Sequence, residues 1–336
     1  MTLRVAINGY GRIGRCVLRA AYEAGRRNGL RVVAVNDVAD PATLAHLTRY
    51  DSTHGRFPGE VELAGGNLHI EGDVIELFQE PDVAALRWPD VDLVMECSGA
   101  FHDVATARLH LENGAGRVLF SQPAQSDVDI TVVYGVNHED IPADATVLSN
   151  ASCTTNCIVP VLKVLDDAFG LEAGAITTIH SAMNDQPVID SFHDSDLRKT
   201  RSAMQSIIPV DTALARGIAR ILPEMAGKLE ARAIRVPTVN VSAMDVSLRF
   251  VRAAGAIEVN DAIIRESRKL PANVLGYTRE PLASCDINHD PRSAVVDLNQ
   301  TREIAGLVKV FIWFDNEWAY ANRMLDVAEY LHAQTS

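Results

Sequence analysis

The sequence carries no excess of basic charge, no long apolar run, no internal repeat and no low-complexity stretch. Its formal net charge is −13, and no local run of Lys or Arg offsets it. Such a chain would repel a phosphate backbone, so no nucleic acid partner is expected. No apolar segment approaches the roughly 18 residues that span a bilayer, and the opening MTLRVAINGYG has neither a charged leader nor a cleavage site. A soluble, cytoplasmic protein with no membrane partner is the expectation. Five cysteines, an odd number scattered over 336 residues, do not make a disulfide framework, which points to a reducing compartment.

What remains is an ordinary globular composition, 47% hydrophobic and 22% charged. The length exceeds what one core usually accommodates, so two domains of about 150 residues are expected. Up to Asn150, short β-branched runs (Leu3 to Asn8, Arg31 to Asn36, Asp92 to Cys97, Arg117 to Phe120, Thr131 to Tyr134) alternate with helical patterns (Cys16 to Ala24, Val104 to Glu112). That alternation predicts an α/β domain with a doubly wound, Rossmann-type parallel sheet. Beyond it, a helix from Cys153 to about Phe169 leads into longer strands (Ala175 to Ile179, Ala231 to Val236, Val241 to Val251, Ala294 to Leu298, Leu307 to Phe314) with few helices between. This predicts a second, α+β domain on a mixed or antiparallel sheet. Ala321, Met324, Leu325, Ala328 and Leu331 share one helical face, so the last segment should dock back as a terminal helix. The expected division is 1–151 with 319–336 against 152–318.

Directly after the first strand stands Gly9-Tyr10-Gly11-Arg12-Ile13-Gly14, opening a helix. Glycines there permit the tight turn, the close approach of backbone to a pyrophosphate and the packing of helix on sheet, while the helix start supplies N–H groups and a positive dipole end. Asp37, at the end of the second strand and 23 residues beyond Gly14, is placed to hold ribose hydroxyls and to repel a 2′-phosphate, which favours NAD over NADP. The competing reading is a glycine turn with an unrelated surface acid. Ser98-Gly99, after a later strand, sits where a sheet edge meets such a crevice, although alone it is a plain turn.

Asn150-Ala151-Ser152-Cys153-Thr154-Thr155-Asn156-Cys157 is the most informative stretch. Ser152 is a good N-cap, which puts Cys153 in a first helical turn, where unpaired N–H groups and the dipole favour a thiolate and form an oxyanion site. His180 closes a strand at its carboxyl end and could serve as the base of a Cys/His nucleophile. Three plainer readings stay open: inert buried thiols, a Cys153/Cys157 redox pair, or zinc held by both cysteines and His180. Zinc would need a fourth ligand and usually a tighter spacing, and no metal is expected.

Taken together, INGYGRIGR, AVND, YDSTHGRF, SNASCTTNC, TTIH, SIIP, RVPTVNVS and DNEWAYANR resemble the glyceraldehyde-3-phosphate dehydrogenase family over essentially the whole chain. The resemblance implies that Cys153 attacks a small phosphorylated aldehyde, that His180 assists, and that a thioester remains after hydride transfer to NAD. It implies that Arg12, Ile13 and Ser121 line the cofactor and that Asn316 orients its carboxamide. Ser152, Thr154, Thr212, Ala213 and Arg235 match positions around the substrate phosphate and the attacking anion. Arg198, Lys199 and Arg201 match the basic part of a loop that closes over the cofactor, and the resemblance places Arg198 and Lys199 with the substrate-binding residues. A homotetramer is implied by the family alone.

The family holds at least two activities, a phosphorylating one and the oxidation of D-erythrose 4-phosphate, in which water releases the acid. Several segments resemble the second. Met183 stands where the phosphorylating enzymes carry a phosphate-binding threonine, and a thioether cannot donate a hydrogen bond. Asp211 precedes Thr212, adding negative charge beside the anion site, and Ala213 replaces a glycine. SQP at 121–123 and VVYG at 132–135 resemble the same activity. Lys199, where arginine is usual, keeps the charge without the planar fork, and Gln79-Glu80-Pro81-Asp82 lacks an arginine that often contacts adenine. The expected reaction is oxidation of D-erythrose 4-phosphate to 4-phosphoerythronate. The alternatives are the phosphorylating reaction and a noncatalytic binding or redox-sensing protein on the same fold.

Overall fold

The structure is a computed structural model that describes residues 2–194 and 196–335. The chain divides into two compact units: one runs up to Ser152 and resumes at Tyr320, and the other is Cys153–Ala319.

In the first unit the strands are β1 (Leu3–Asn8), β2 (Leu30–Asn36), a small antiparallel pair β3 (Tyr50–Asp51) and β4 (Gly55–Arg56), then β5 (Val61–Ala64), β6 (Asn67–Ile70), β7 (Asp73–Phe78), β8 (Val91–Glu96), β9 (Ala115–Phe120), β10 (Ile130–Thr131) and β11 (Val147–Ser149). The main sheet runs β10-β11-β9-β8-β1-β2-β7-β6-β5. Pairing is parallel from β10 to β7, because helical crossovers return the chain to the same sheet end. Among those helices are α1 (Arg12–Glu23), α2 (Pro41–Arg49) and α3 (Val104–Glu112). Cys16, Val17, Ala20 and Ala21 form the inner face of α1. Local chemistry sets the other two starts: Asp40 accepts from the Thr43 N–H at 3.0 Å with Pro41 in the first turn, and Asp103 accepts from the Thr106 N–H at 2.9 Å, each worth about 1 kcal/mol.

Two features of this sheet differ from the expectation. The stretch β5–β7 is an antiparallel meander that extends the parallel array, so the sheet is mixed at one edge. The strand expected over Thr131 to Tyr134 is only Ile130–Thr131. After Val132 the backbone turns, and the Val133 N–H donates to the side chain of Asn137 at 2.7 Å, diverting it from a strand partner. The last helix, Trp318–Thr335, buries Ala321, Met324, Leu325, Ala328 and Leu331, and Arg26 ties it to the unit through Asp326 at 2.6 Å and Glu329 at 3.0 Å.

The second unit holds α4 (Cys153–Phe169), β12 (Leu171–His180), β13 (Ile208–Val210), α5 (Leu214–Ile221), β14 (Leu229–Arg235), β15 (Ser242–Phe250), α6 (Ala256–Ser267), β16 (Leu275–Thr278), β17 (Ala294–Asp297), β18 (Arg302–Ile304) and β19 (Leu307–Phe314). The strand order is β13-β14-β12-β15-β19-β17-β16, with β18 beside β19. Antiparallel pairs dominate, and β12–β14 and β16–β17 are parallel. Strands β15 and β19 alternate buried and half-exposed residues, the signature of a sheet covered on one face. Helix α4 packs on α5 and α6 and against β12 and β17. Pro160 lies inside the continuous α4. No described helix is long and apolar enough to cross a membrane.

Candidate active site

In the first unit, β1, β2 and β8 end level with one another, Asn8 opposite both Asn36 and Glu96. The strand order reverses at β1, where doubly wound sheets leave a crevice beyond their carboxyl ends. The glycines following β1 have separate physical reasons. Gly9 has φ +87°, and a Cβ there would lie 2.3 Å from the Cα and N of Ser98. A Cβ on Gly14 would lie 2.2 Å from the Gly9 carbonyl oxygen, so Gly14 lets α1 pack on the turn. Around Gly11 nothing lies within 4 Å of the added carbon. Packing therefore does not require glycine at position 11, and the open space there suits a ligand that must approach the backbone.

Asp37 follows β2 and bends back to this loop, accepting from the Tyr10 N–H at 2.7 Å and the Ala39 N–H at 3.0 Å. These two bonds leave lone pairs on both oxygens for ribose hydroxyls. Ser98 and Gly99, the latter at φ +73°, follow β8. Ser121 follows β9, its N–H bonded to the Glu96 carbonyl at 2.9 Å. Arg12 opens α1 next to Ile13, and its guanidinium pairs with Asp51. Burial works to raise the Asp51 carboxyl, but the Arg12 side chain and the N–H groups of His54 and Thr53 outweigh it and hold the group far below the usual carboxylate range. Arg12 thus comes to the loop already neutralised. Glycines, first-turn N–H groups and Asp37 together fit a dinucleotide.

The segment Asn150-Ala151-Ser152 leads from β11 into α4. Ala151 has φ +54°, a left-handed conformation that costs a non-glycine residue about 1 kcal/mol or more. Three bonds hold it: the Ala151 N–H donates to Ser149 Oγ at 3.2 Å, Tyr320 Oη donates to the Ala151 carbonyl at 2.9 Å, and the Asn150 N–H donates to the Phe120 carbonyl at 2.9 Å. Ser152 then occupies the N-cap position, with Cys153 and Thr154 in the first turn.

Within the second unit, Cys153 Sγ lies 3.8 Å from His180 Nε2. His180 Nδ1 lies 2.9 Å from the Ser181 carbonyl oxygen, which can only accept, so the ring proton sits on Nδ1. Nε2 consequently offers its lone pair to the sulfur. Burial lowers the His180 pKa, and the Arg235 guanidinium adds to the effect. The ring is therefore a neutral base at neutral pH.

The N–H groups of Thr154 and Cys153 favour the thiolate, while burial works against them and pushes the Cys153 thiol up to about 12; the residue as a whole is half-buried. His180 Nε2, 3.8 Å from the sulfur, is placed to take the proton. Cys157 lies wholly inside α4's packing, with its thiol raised well above the ordinary value by burial.

The expected anion-binding residues fall into two groups. Arg235, opposite His180 across β12 and β14, donates to Asp185 at 2.5 Å, and Lys199 donates to the other Asp185 oxygen at 3.0 Å. Asp185 had no role in the sequence reading. Its one signal in the sequence is an acid five residues after the candidate base; Lys199 and Arg235 reach it from 14 and 50 residues away. Arg198, Thr212 and Ala213 instead line an open cleft of about 710 Å³ with Asp211, Arg216 and Arg232. Among the described residues its lining includes neither Cys153, His180 nor Arg235. Asn316 Oδ1 accepts from Ser181 Oγ at 3.1 Å and Ser242 Oγ at 2.9 Å. With both hydroxyls on its oxygen, the Asn316 amide presents its N–H₂ end for recognition.

A dinucleotide cradle and a thiol–imidazole pair on one chain are the equipment of an NAD-dependent oxidoreductase. Residues 3–104 match the glyceraldehyde 3-phosphate dehydrogenase NAD binding domain, and residues 152–316 match the C-terminal domain of the same family. The chain belongs to the glyceraldehyde-3-phosphate dehydrogenase family, its cofactor is NAD and its substrates are small phosphorylated aldehydes.

Proposed function

We propose that this protein oxidises D-erythrose 4-phosphate to 4-phosphoerythronate, with water resolving the intermediate. Cys153 Sγ attacks the aldehyde carbon as its proton passes to His180 Nε2, and the N–H groups at the start of α4 stabilise the developing oxyanion. When bound by the Gly9–Gly14 loop and Asp37, NAD supplies the acceptor for the hydride that leaves this carbon. Once His180 has released that first proton to solvent, the Cys153 thioester is hydrolysed by a water whose proton His180 accepts and then returns to the departing sulfur, so the thiol is restored. Aldehyde, NAD⁺ and water become acid, NADH and protons.

The observation that carries the choice of water is at position 183. Met183 is half exposed and its side chain has no donor. Asp185 already engages Lys199 and Arg235, and Asp211 shares the cleft of Thr212. Together these disfavour a free phosphate dianion as the attacking group. The test is turnover of D-erythrose 4-phosphate and D-glyceraldehyde 3-phosphate, each with and without inorganic phosphate. Strong phosphate dependence with the three-carbon aldehyde would establish the second reading, the phosphorylating reaction. Absence of NAD reduction by the native protein with any aldehyde would leave a binding or sensing role.

We further propose a cytoplasmic homotetramer. Val188, Ile189, Phe192, Leu197 and Ile207 are 71–84% exposed, more apolar surface than one loop region of a monomer usually shows.

A further inference from the structure

Beneath the glycine loop lies a polar chain, buried at its centre, that the chemistry at Cys153 does not use. Glu96, at the end of β8, is 1% exposed, and Asn8, Asn36, His110 and Trp88 around it are 0–6% exposed. Its Oε1 accepts from the Ser98 N–H at 2.8 Å and from Ser98 Oγ at 2.6 Å, and that hydroxyl accepts from the Ala100 N–H at 3.1 Å. Its Oε2 lies 2.5 Å from Asn8 Nδ2 and 3.1 Å from His110 Nε2.

The direction of this chain is fixed at both ends. The indole of Trp88 can only donate, and it lies 3.1 Å from His110 Nδ1, so the neutral ring carries its proton on Nε2 and donates to Glu96. At the other end the Glu80 N–H donates to Asn36 Oδ1 at 2.9 Å. Asn36 Nδ2 then donates to Asn8 Oδ1 at 2.7 Å, and Asn8 Nδ2 donates to Glu96. Four donors converge on Glu96: the Ser98 N–H, the Asn8 amide and the His110 Nε2–H have no alternative direction, and the Ser98 hydroxyl is the one member able to turn. A carboxylate, an acceptor at every lone pair, completes such a chain.

We propose that Glu96 is a positioning residue for NAD: it locks the Ser98–Gly99 turn to the end of β1, from which the Gly9–Gly14 loop springs. The link is steric as well as hydrogen-bonded, since the Ser98 backbone forms the wall against which Gly9 fits. Any drift of the Ser98 turn therefore displaces the glycine loop. Glu96 does not touch the reacting atoms, and its effect is on the shape that meets the dinucleotide. The inference rests on NAD binding and is independent of which aldehyde is oxidised.

The test is NAD affinity measured by calorimetry on the purified native protein and on Glu96→Gln, Ser98→Ala and the double variant, with thermal melting of each without NAD. In Glu96→Gln an amide N–H₂ must face either the Ser98 pair or the Asn8–His110 pair, donor against donor. The Kd for NAD should rise about tenfold while kcat at saturating NAD stays within about threefold. Ser98→Ala should raise Kd about threefold, and the double variant should be no worse than Glu96→Gln, because the released turn has nothing more to lose. An NAD Kd in Glu96→Gln within twofold of native, or a fall in melting temperature alone, overturns the inference. So does strict additivity in the double variant. Should Glu96→Gln not fold, Ser98→Ala decides alone, and an unchanged Kd there overturns it. A native protein that binds NAD but oxidises no aldehyde would refute the proposed reaction and leave this inference standing.

Discussion

Replacing His180 by Asn removes the lone pair that faces the Cys153 sulfur at 3.8 Å while leaving the helix start that bears the thiol. If the thiol is held up near 12 by burial, then at about pH 8 the thiolate fraction without the imidazole is on the order of 10⁻⁴. In the native protein the proton has a neutral acceptor, because burial keeps the His180 pKa below its ordinary value, so the rate should be nearly level above about pH 7. The variant should lose about 10³-fold in the single-turnover rate of NADH formation at about pH 8, within the range ascribed to general base catalysis. It should recover roughly tenfold per pH unit up to about pH 10. Alkylation of Cys153 by iodoacetamide, followed by peptide mass spectrometry to separate it from the exposed Cys285, should follow the same line. A plateau in the variant above about pH 8, or a loss under tenfold, would refute the argument. It would mean that the first turn of α4 ionises the sulfur unaided.

Two glycine substitutions should separate folding from binding. Gly9→Ala, with its Cβ 2.3 Å from Ser98, should lower stability by about 2–4 kcal/mol in chemical denaturation. Gly11→Ala meets no protein atom within 4 Å, so it should melt like the native protein yet lose about tenfold or more in NAD affinity by calorimetry. Asp185→Asn removes the negative charge shared by Lys199 and Arg235, so the KM for phosphorylated aldehydes should fall and inorganic phosphate should inhibit more strongly. Unchanged steady-state constants would show that Asp185 does not screen the anion site. The Asp51 carboxyl, depressed in the folded state despite the opposing effect of burial, contributes stability above the unfolded value of about 3.9. That contribution is lost as pH falls through the lower folded value, so an Asp51→Asn variant should show a shallower decline in stability than the native protein in acid unfolding below about pH 4.

How much of this could be read in the sequence differs by element, for physical reasons. The strands β1 and β19, and helices α3 and α4, are legible because their apolar periodicity is strong and their starts carry side chains such as Asp103 that cap in place. The β5–β7 meander is hard to see in the sequence because its strands are only four to six residues long and half polar. Its turns were nevertheless marked: Gly65-Gly66 and Glu71-Gly72 all take positive φ, as two-residue hairpin loops of the mirror-image type require. At the site, residue types and spacing named the thiol, the imidazole and the glycine loop. Charge balance was hidden, since that Asp185 occupies both Lys199 and Arg235, or that Asp51 occupies Arg12, depends on side chains converging from separate elements. Ionisation was hidden too. A motif places Cys153 in a first helical turn, but only packing reveals that burial raises its thiol against the pull of the helix N–H groups.

The backbone before the sulfur shows how this fold holds a strained turn. Ala151 would be more comfortable as glycine at φ +54°, and a Cβ there stiffens the peptide that delivers Cys153 to α4. The strain persists because its neighbours over-determine it: Ser149 Oγ takes the N–H, Tyr320 Oη donates to the carbonyl, and Phe120 at the end of β9 anchors Asn150. Tyr320 belongs to the last helix, 169 residues away in sequence, so the return of the chain to the first unit has a chemical consequence beyond closing its core. Glu96 plays the corresponding part for the cofactor loop, fixing Ser98 against Gly9 from below. In both places a buried polar group, Tyr320 from a distant helix in one and Glu96 from the strand just before in the other, fixes a turn that carries no regular hydrogen-bond ladder of its own. The reacting groups are therefore held by polar contacts whose removal should alter binding and rate before it alters the fold.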